Sequence, residues 1–257
     1  MIIVDKLCYS SKLRFMNSGE KFALAVISLI ICVVSRSVVC ALLLLGAMGL
    51  LTVKAAGTPL HCYRKLMAVP LAFLLLSTVA IVVNFSPEPL DAFALPLGSI
   101  YLTGSWQGLI FALRLILTAL AAVSCLYFLS LTTPFYDILE VLRQLHCPWL
   151  ILELMLLIYR FLFLLLETAS AIMTSQNSRL GNKDMKTAYR SFSAMVSVLF
   201  VRAMKKANFL YDAMESRCYD GKIRVLAEYN PPRKKEIGMI ICFELLLVCC
   251  VIGERLL

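Results

Sequence analysis

The succession of long apolar runs constrains this chain more than any other feature. They occupy 22–34, 37–53, 66–85, 107–131, 148–173 and 238–252. About 20 consecutive apolar residues cross the hydrocarbon core of a bilayer as a helix. A soluble globule must cover itself with polar surface, and ordinary domains are about half apolar and a quarter charged. Here hydrophobic residues make up 61% of the 257 and charged residues 16%, which excludes a soluble core of this size. The first twenty residues include Asp5, Lys6, Lys12, Arg14 and Glu20, without a signal-peptide apolar core or a small-residue cleavage site. Insertion is expected to begin with the first span.

Charge bias orients the runs, because cytoplasmic loops carry the excess of Lys and Arg. The head carries Lys6, Lys12, Arg14 and Lys21, and the loop 54–65 carries Lys54, Arg64 and Lys65, so both are inside. The loop 86–106 holds Glu88 and Asp91 and no Lys or Arg, so it is outside. The segment 174–236 has thirteen Lys or Arg against six Asp or Glu and belongs inside. A single crossing by 148–173 would put this most basic segment on the outer face. The simplest repair is that 148–173 does not cross. Its charges, Glu153, Arg160 and Glu167, suit a helix packed on protein better than one facing lipid. The expected fold is therefore all-α and polytopic, with about five transmembrane helices and a cytoplasmic module of about three helices. Its parts are 1–131 (transmembrane helices 1–4), 132–236 (the cytoplasmic module, including a partly embedded helix 148–178) and 237–257 (the last transmembrane helix). The N-terminus is expected inside and the C-terminus outside.

Within the module, Thr133-Pro134 reads as a helix start, with Pro at the first helical position. Phe135, Ile138, Leu142 and Leu145 then form one apolar face, and Pro148 ends the helix. Over 190–220, Phe200, Met204, Ala207, Tyr211, Met214 and Cys218 recur at spacings of 3 and 4, with turn chemistry at Asp220-Gly221 as the stop. A stripe of this kind outside the bilayer must bury itself on another helix of the module or on a partner. Arg217 lies near that helix end. Arg179, in Ser178-Arg179-Leu180-Gly181, lies beside a glycine at the expected end of the preceding helix. Two such planar, permanently charged forks suit carboxylates on a partner. Equally, they could complement helix dipoles or lipid phosphates, and the residues alone leave both readings open.

The chain lacks the signatures of several chemistries. Ten cysteines are scattered without a Cys-x-x-Cys, and they read as small hydrophobes. His61 and His146 have no metal-ligand spacing. No phosphate-binding Gly-x-x-x-x-Gly-Lys loop, Gly-x-Ser-x-Gly or His-Glu-x-x-His is present. Arg114, Glu153, Arg160, Glu167 and Glu244 are the charges at or near membrane depth, and Arg114 with Glu153 or Glu167 makes a plausible structural pair. No catalytic constellation emerges. The net charge of +9 is explained by basic cytoplasmic loops and does not call for nucleic acid.

Four motifs, taken in order, resemble the transmembrane coupling (T) component of energy-coupling factor transporters, in the branch of the cobalt permease CbiQ. They are Leu131-Thr132-Thr133-Pro134, Tyr159-Arg160-Phe161-Leu162-Phe163, Ser178-Arg179-Leu180-Gly181 and Ala213-Met214-Glu215-Ser216-Arg217-Cys218-Tyr219-Asp220-Gly221. The resemblance covers about residues 10–225. It implies a non-catalytic scaffold in a bacterial or archaeal cell membrane. In that family, coupling helices end in Ala-Arg-Gly-like motifs whose arginines dock into two cytoplasmic ABC-type ATPase subunits (CbiO-like). The ATPases carry ATP and Mg, and the T component carries no cofactor. A CbiM-like membrane subunit captures the solute, optionally with a small CbiN-like subunit. Carried over, the docking arginines are Arg179 and Arg217. Ser178, Leu180, Gly181, Ala213, Met214, Ser216, Cys218 and Gly221 support them.

This sequence departs from the family in three places, one of them Ser178-Arg179-Leu180, where the glycine arrives one residue late. Cys218 stands where the motif has glycine, so the helix is expected to run on towards Gly221, because a non-glycine residue turns left-handed at a cost. Asn17-Ser18-Gly19-Glu20-Lys21 matches the family's Asp-Pro-Arg-x-Lys entry only loosely. The leading expectation is a T component for cobalt, with nickel, biotin or another vitamin as alternative solutes. A membrane-embedded enzyme would need Glu153, Glu167 or Glu244 in a clustered carboxylate pair. A channel would need regularly spaced polar residues, which the second and third spans lack.

Overall fold

A computed structural model describes residues 3–82, 84–86, 93–97, 100–104, 106–221, 223 and 231–256. Its helices are α1 Ile3–Tyr9, α2 Ser18–Ser35, α3 Val38–Leu50, α4 Leu60–Val82, α5 Trp106–Thr132, α6 Phe135–Gln144, α7 Trp149–Ser178, α8 Met185–Glu215 and α9 Lys234–Leu256. A π-helical turn, Leu51–Ala55, prolongs α3. Among the described residues, six helices are long and apolar enough to cross a membrane: α2, α3 with its π turn, α4, α5, α7 and α9. The protein is a polytopic all-α membrane protein. Length and composition alone do not set α7 apart from the other five.

The loop expected over 86–106 and the end of the third apolar run before it carry a small antiparallel sheet. Its strands are β1 Asn84–Ser86, β2 Phe93–Leu97 and β3 Ile100–Gly104, in the order β1-β3-β2. Phe93, Tyr101 and Thr103 are residue types that favour strands.

The chain divides into two compact units. One comprises Ile2–Ile138 and Glu228–Leu257, and the other Leu139–Ala227. The first unit has a core built from α2, α3, α5 and α9: Leu24 and Cys32; Cys40, Leu44 and Met48; Cys125 and Phe128; and Leu247. Local chemistry sets where these helices begin. The Asn17 side chain accepts the amides of Gly19 (2.8 Å) and Glu20 (3.3 Å) at the start of α2. Arg36 turns left-handed (φ 51°) to end α2, and the Ser37 hydroxyl accepts the amide of Cys40 to start α3. All the cysteines among the described residues are free, and Cys8, Cys32, Cys40 and Cys125 are buried as small apolar groups.

Polar ties cross this apolar core. The Ser28 hydroxyl of α2 donates to the Glu244 carboxylate of α9 at 2.6 Å. Ser37 likewise donates to Glu254. The Tyr127 hydroxyl donates to the Leu66 carbonyl, joining α5 to α4. Lys21 has no exposed surface, and its ammonium donates to the carbonyls of Leu13 (3.1 Å) and Thr132 (3.0 Å).

Candidate functional site

The second unit holds the end of α6 and the helices α7 and α8. The six-residue link between α7 and α8 forces them into a hairpin. On α8 the less exposed side carries Ser191, Met195, Leu199, Ala203, Leu210 and Met214, and Met195 is buried. Within this unit α7 is the neighbouring helix. The stripe expected to pack lies one helical step round from that side. Phe200, Met204, Ala207, Tyr211 and Cys218 are exposed, and only Met214 is half-buried. Sequence spacing found an apolar stripe but chose the flank of the packed face, because both stripes obey the same period.

Each helix of the unit ends in the same turn. After α7, Leu180 is left-handed (φ 57°), the Leu180 amide donates to the Asn177 carbonyl and the Gly181 amide to the Gln176 carbonyl. After α8, Cys218 is left-handed (φ 58°), the Cys218 amide donates to the Glu215 carbonyl and the Tyr219 amide to the Met214 carbonyl. Both are Schellman turns, which satisfy the orphan carbonyls of a helix end. They match residue for residue around Arg179 and Arg217. In each, the amide one residue after the arginine reaches the carbonyl two before it, and the next amide reaches the carbonyl three before it. The serine ahead of each arginine also bonds back: Ser178 to the Thr174 carbonyl and Ser216 to the Ala213 carbonyl, both at 3.0 Å.

This corrects the expectation for Cys218. The chain does turn left-handed there, and α8 ends at Glu215, ahead of Gly221. A left-handed non-glycine residue costs roughly 1–2 kcal/mol. The two turn hydrogen bonds offset about that much, so glycine is dispensable at this position. Gly221 also has positive φ (82°), further along the chain.

α6 ends in a third copy of the turn. His146 is left-handed (φ 61°), the His146 amide donates to the Arg143 carbonyl and the Cys147 amide to the Leu142 carbonyl. Leu145, 62% exposed, takes the place that arginine has in the other two. This turn, rather than Pro148, ends α6. Leu145 was expected in the apolar face of α6, whereas Leu139 and Val141 are the buried residues there.

The α7 turn is sealed from inside. The Ser191 hydroxyl donates to the Gly181 carbonyl and the Gln176 side chain to the Ser191 carbonyl, both at 2.8 Å. A Cβ on Gly181 would sit 2.8 Å from the Ser191 hydroxyl and 2.9 Å from the Gln176 carbonyl. The α8 turn is held differently. The Tyr219 hydroxyl donates to Glu153 at 2.9 Å, and the Ile223 amide donates to the other oxygen of the same carboxylate. Glu153 is 7% exposed, in the first turns of α7. This bond raises the Tyr219 hydroxyl above the ordinary tyrosine range.

Arg179 and Arg217 are exposed, and neither forms an ion pair among the described residues. They bracket α8, whose 31 residues span about 46 Å. The arrangement is two guanidinium groups on rigid, equivalent turns, far enough apart to address two separate sites. Tyr159 and Phe163 pack edge-to-face (5.0 Å) on α7.

The carboxylates of α7 do not assemble into a catalytic pair within this unit. Glu153 and Glu167 lie fourteen residues apart on one helix, about 21 Å. Glu167, Arg160 and Arg114 are exposed, and both oxygens of Glu153 are taken by Tyr219 and Ile223. Among the described residues no group of three His, Cys, Asp or Glu is placed to hold a metal ion. Sequence reasoning took Lys21 as an inside charge and as the end of a loose match to the family's Asp-Pro-Arg-x-Lys entry, and it did not find the Glu153–Tyr219 bond. The signal for Lys21 was its place inside α2, one turn past the Asn17 cap.

The family described as "Cobalt transport protein" (CbiQ) matches residues 10–228. An uncharacterised protein of Methanocaldococcus jannaschii is 33% identical over 96% of this chain and 91% of its own length. The cobalt transport protein CbiQ of Salmonella typhimurium is 28% identical over 85% of this chain and 97% of its own. A putative fused cobalt transport protein CbiMQ of Methanocorpusculum labreanum is 28% identical over 99% of this chain, which spans 43% of that relative.

Proposed function

This chain belongs to the CbiQ cobalt transport protein family, and we propose that it is the transmembrane coupling component of an ATP-driven cobalt uptake transporter of the energy-coupling factor type. Membership makes it a multi-pass membrane subunit of a cobalt transport system. The coupling role rests on the paired turns. Arg179 and Arg217 stand on the same hydrogen-bonded frame at the two ends of α8, exposed and without ion pairs among the described residues. A rigid strut with one cationic fork at each end suits contact with two copies of an acidic groove. Two cytoplasmic ABC-type ATPase subunits (CbiO-like), which carry ATP and Mg, are the proposed partners. Their motion would pass along α8 to a CbiM-like membrane subunit that captures the solute, with a small CbiN-like subunit as an optional member. The fused CbiMQ relative supports a CbiM-like neighbour. The exposed stripe of Phe200, Met204 and Tyr211 offers that neighbour an apolar surface on a helix too polar to cross the bilayer.

In this reading α7 does not cross, the N-terminus and the segment 174–236 are cytoplasmic, and the C-terminus is outside. The charge distribution supports it. A single cysteine at residue 185, in a cysteine-free background, would then be labelled only from the cytoplasmic side, and one at residue 95 only from outside. External labelling at 185 overturns the topology. Arg179→Glu combined with Arg217→Glu is expected to abolish copurification of the ATPases and cobalt uptake. Intact copurification removes the docking role.

A further inference from the structure

We propose that Glu153 is a positioning residue for Arg217, acting through Tyr219, so that the two docking arginines are set by different devices. The inference rests on the docking reading of Arg217. Tyr219 belongs to two structures at once. Its amide closes the left-handed turn on the Met214 carbonyl, and its hydroxyl reaches the Glu153 carboxylate at 2.9 Å. The backbone of Arg217 therefore cannot rotate without breaking either the turn or the bond to Glu153. The second oxygen of Glu153 takes the Ile223 amide, which binds the chain leaving the turn to the same point. Glu153 is itself buried near the N-terminus of α7, where the helix dipole favours a carboxylate. A buried carboxylate with both oxygens hydrogen-bonded has one position, and it passes that position to the turn.

Among the described residues Arg179 has no such remote anchor. Its turn is fixed by Gly181 against Ser191 and Gln176, within the two helices that it joins. The module thus has one arginine held by the hairpin itself and one held by a bond between the distant ends of α7 and α8. Perturbing Glu153 should disturb the Arg217 contact and spare the Arg179 contact.

The test is a titration of the purified chain with the CbiO-like ATPase of its transporter, read as apparent Kd, for Glu153→Gln, Tyr219→Phe, Arg217→Ala, Arg179→Ala and the combinations. Tyr219→Phe keeps the ring and the backbone turn and removes one hydroxyl, so it tests the bond even if Glu153→Gln unfolds the unit. Glu153→Gln and Tyr219→Phe are each expected to weaken binding about fivefold, the scale of one charge-assisted hydrogen bond partly transmitted to a contact. The same loss is expected in the Arg179→Ala background and none in the Arg217→Ala background. A merely structural role would give equal losses in both. Equal losses, or no loss with Tyr219→Phe, overturn the inference and leave docking by Arg217 standing. No loss with either arginine variant removes the docking reading and this inference with it.

Discussion

Lys21 donates its ammonium to the carbonyl of Thr132 across 111 residues of sequence, and neither side chain has any exposed surface. A second bond reaches the carbonyl of Leu13, and Asp137 adds a favourable opposing charge. One cation thus joins the N-terminal turns, the start of α2 and the end of α5, just ahead of Pro134 and α6. Replacing it with an apolar residue leaves the buried Thr132 carbonyl without its donor, whereas the part-buried Leu13 carbonyl keeps the Met16 amide. Lys21→Met is expected to cost about 2 kcal/mol, because the lost charged hydrogen bonds outweigh the relieved desolvation. The check is the thermal midpoint of the detergent-purified chain. A midpoint at or above that of the wild type would show that the ammonium is not the clamp.

Gly181 is required for close approach rather than for a left-handed backbone. An added methyl would meet the Gln176 carbonyl at 2.9 Å, and that oxygen is the acceptor for the Gly181 amide. Ser191 can rotate away, but the backbone carbonyl cannot without opening the turn. Gly181→Ala should therefore destabilise the hairpin by about 1–3 kcal/mol. Faster proteolysis in the link between α7 and α8 would show it, and unchanged proteolysis would count against the close contact.

Cys218 carries the opposite expectation. It sits at φ 58°, a cost offset by the turn hydrogen bonds and by the Tyr219 bond to Glu153. Cys218→Gly removes the Cβ clash and returns the family's motif, so it should stabilise the α8 terminus by up to about 1 kcal/mol. Hydrogen exchange of the Cys218 and Tyr219 amides measures this directly. Faster exchange in the glycine variant would mean that the cysteine side chain contributes more than its backbone strain costs.

The apolar runs located the spans because a bilayer demands about 20 residues in a row whatever the rest of the fold does. The arginine turns were half legible. Gly181 marks the end of α7, and the helix read over 190–220 overlaps α8, which runs from Met185 to Glu215. Its true end depends on a left-handed cysteine, held by backbone bonds and by the next residue, Tyr219, whose hydroxyl reaches a carboxylate 66 residues before it. The partners of Lys21 could not be read from sequence because they are carbonyls, which every residue carries. The packed face of α8 was missed because Phe200 and Leu199 head adjacent stripes of the same period. Only a neighbour such as α7, through Gln176 and Ser191, selects between them.

Ser28 and Glu244 give the transmembrane core its own polar joint. The Ser28 hydroxyl meets one oxygen of Glu244 at 2.6 Å, and the other oxygen is buried without a partner among the described residues. Ser28→Ala would strip the carboxylate of its donor. About 1–3 kcal/mol is expected to be lost, read as a lower thermal midpoint. Glu244→Gln should be better tolerated, because an amide still accepts from Ser28 and carries no charge into the bilayer. If Ser28→Ala left the midpoint unchanged, α9 would be held on α2 by apolar packing alone.

Cys8 offers a readout of the same region by pH. It is 2% exposed in α1, and burial pushes its thiol up to about 11, against a smaller opposing pull from Lys21. The unfolded thiol titrates near its ordinary value of 9.0, so between that pH and about 11 the unfolded chain loses its proton first. Stability should therefore fall as pH rises through this window and be independent of Cys8 below it. At pH 8 the folded thiol is almost wholly protonated, so maleimide should label Cys8 far more slowly than the exposed Cys218. Lys21→Met removes the cation that favours the thiolate and should slow Cys8 labelling further in protein that remains folded. Faster labelling would mean that the variant has opened the N-terminal turns instead.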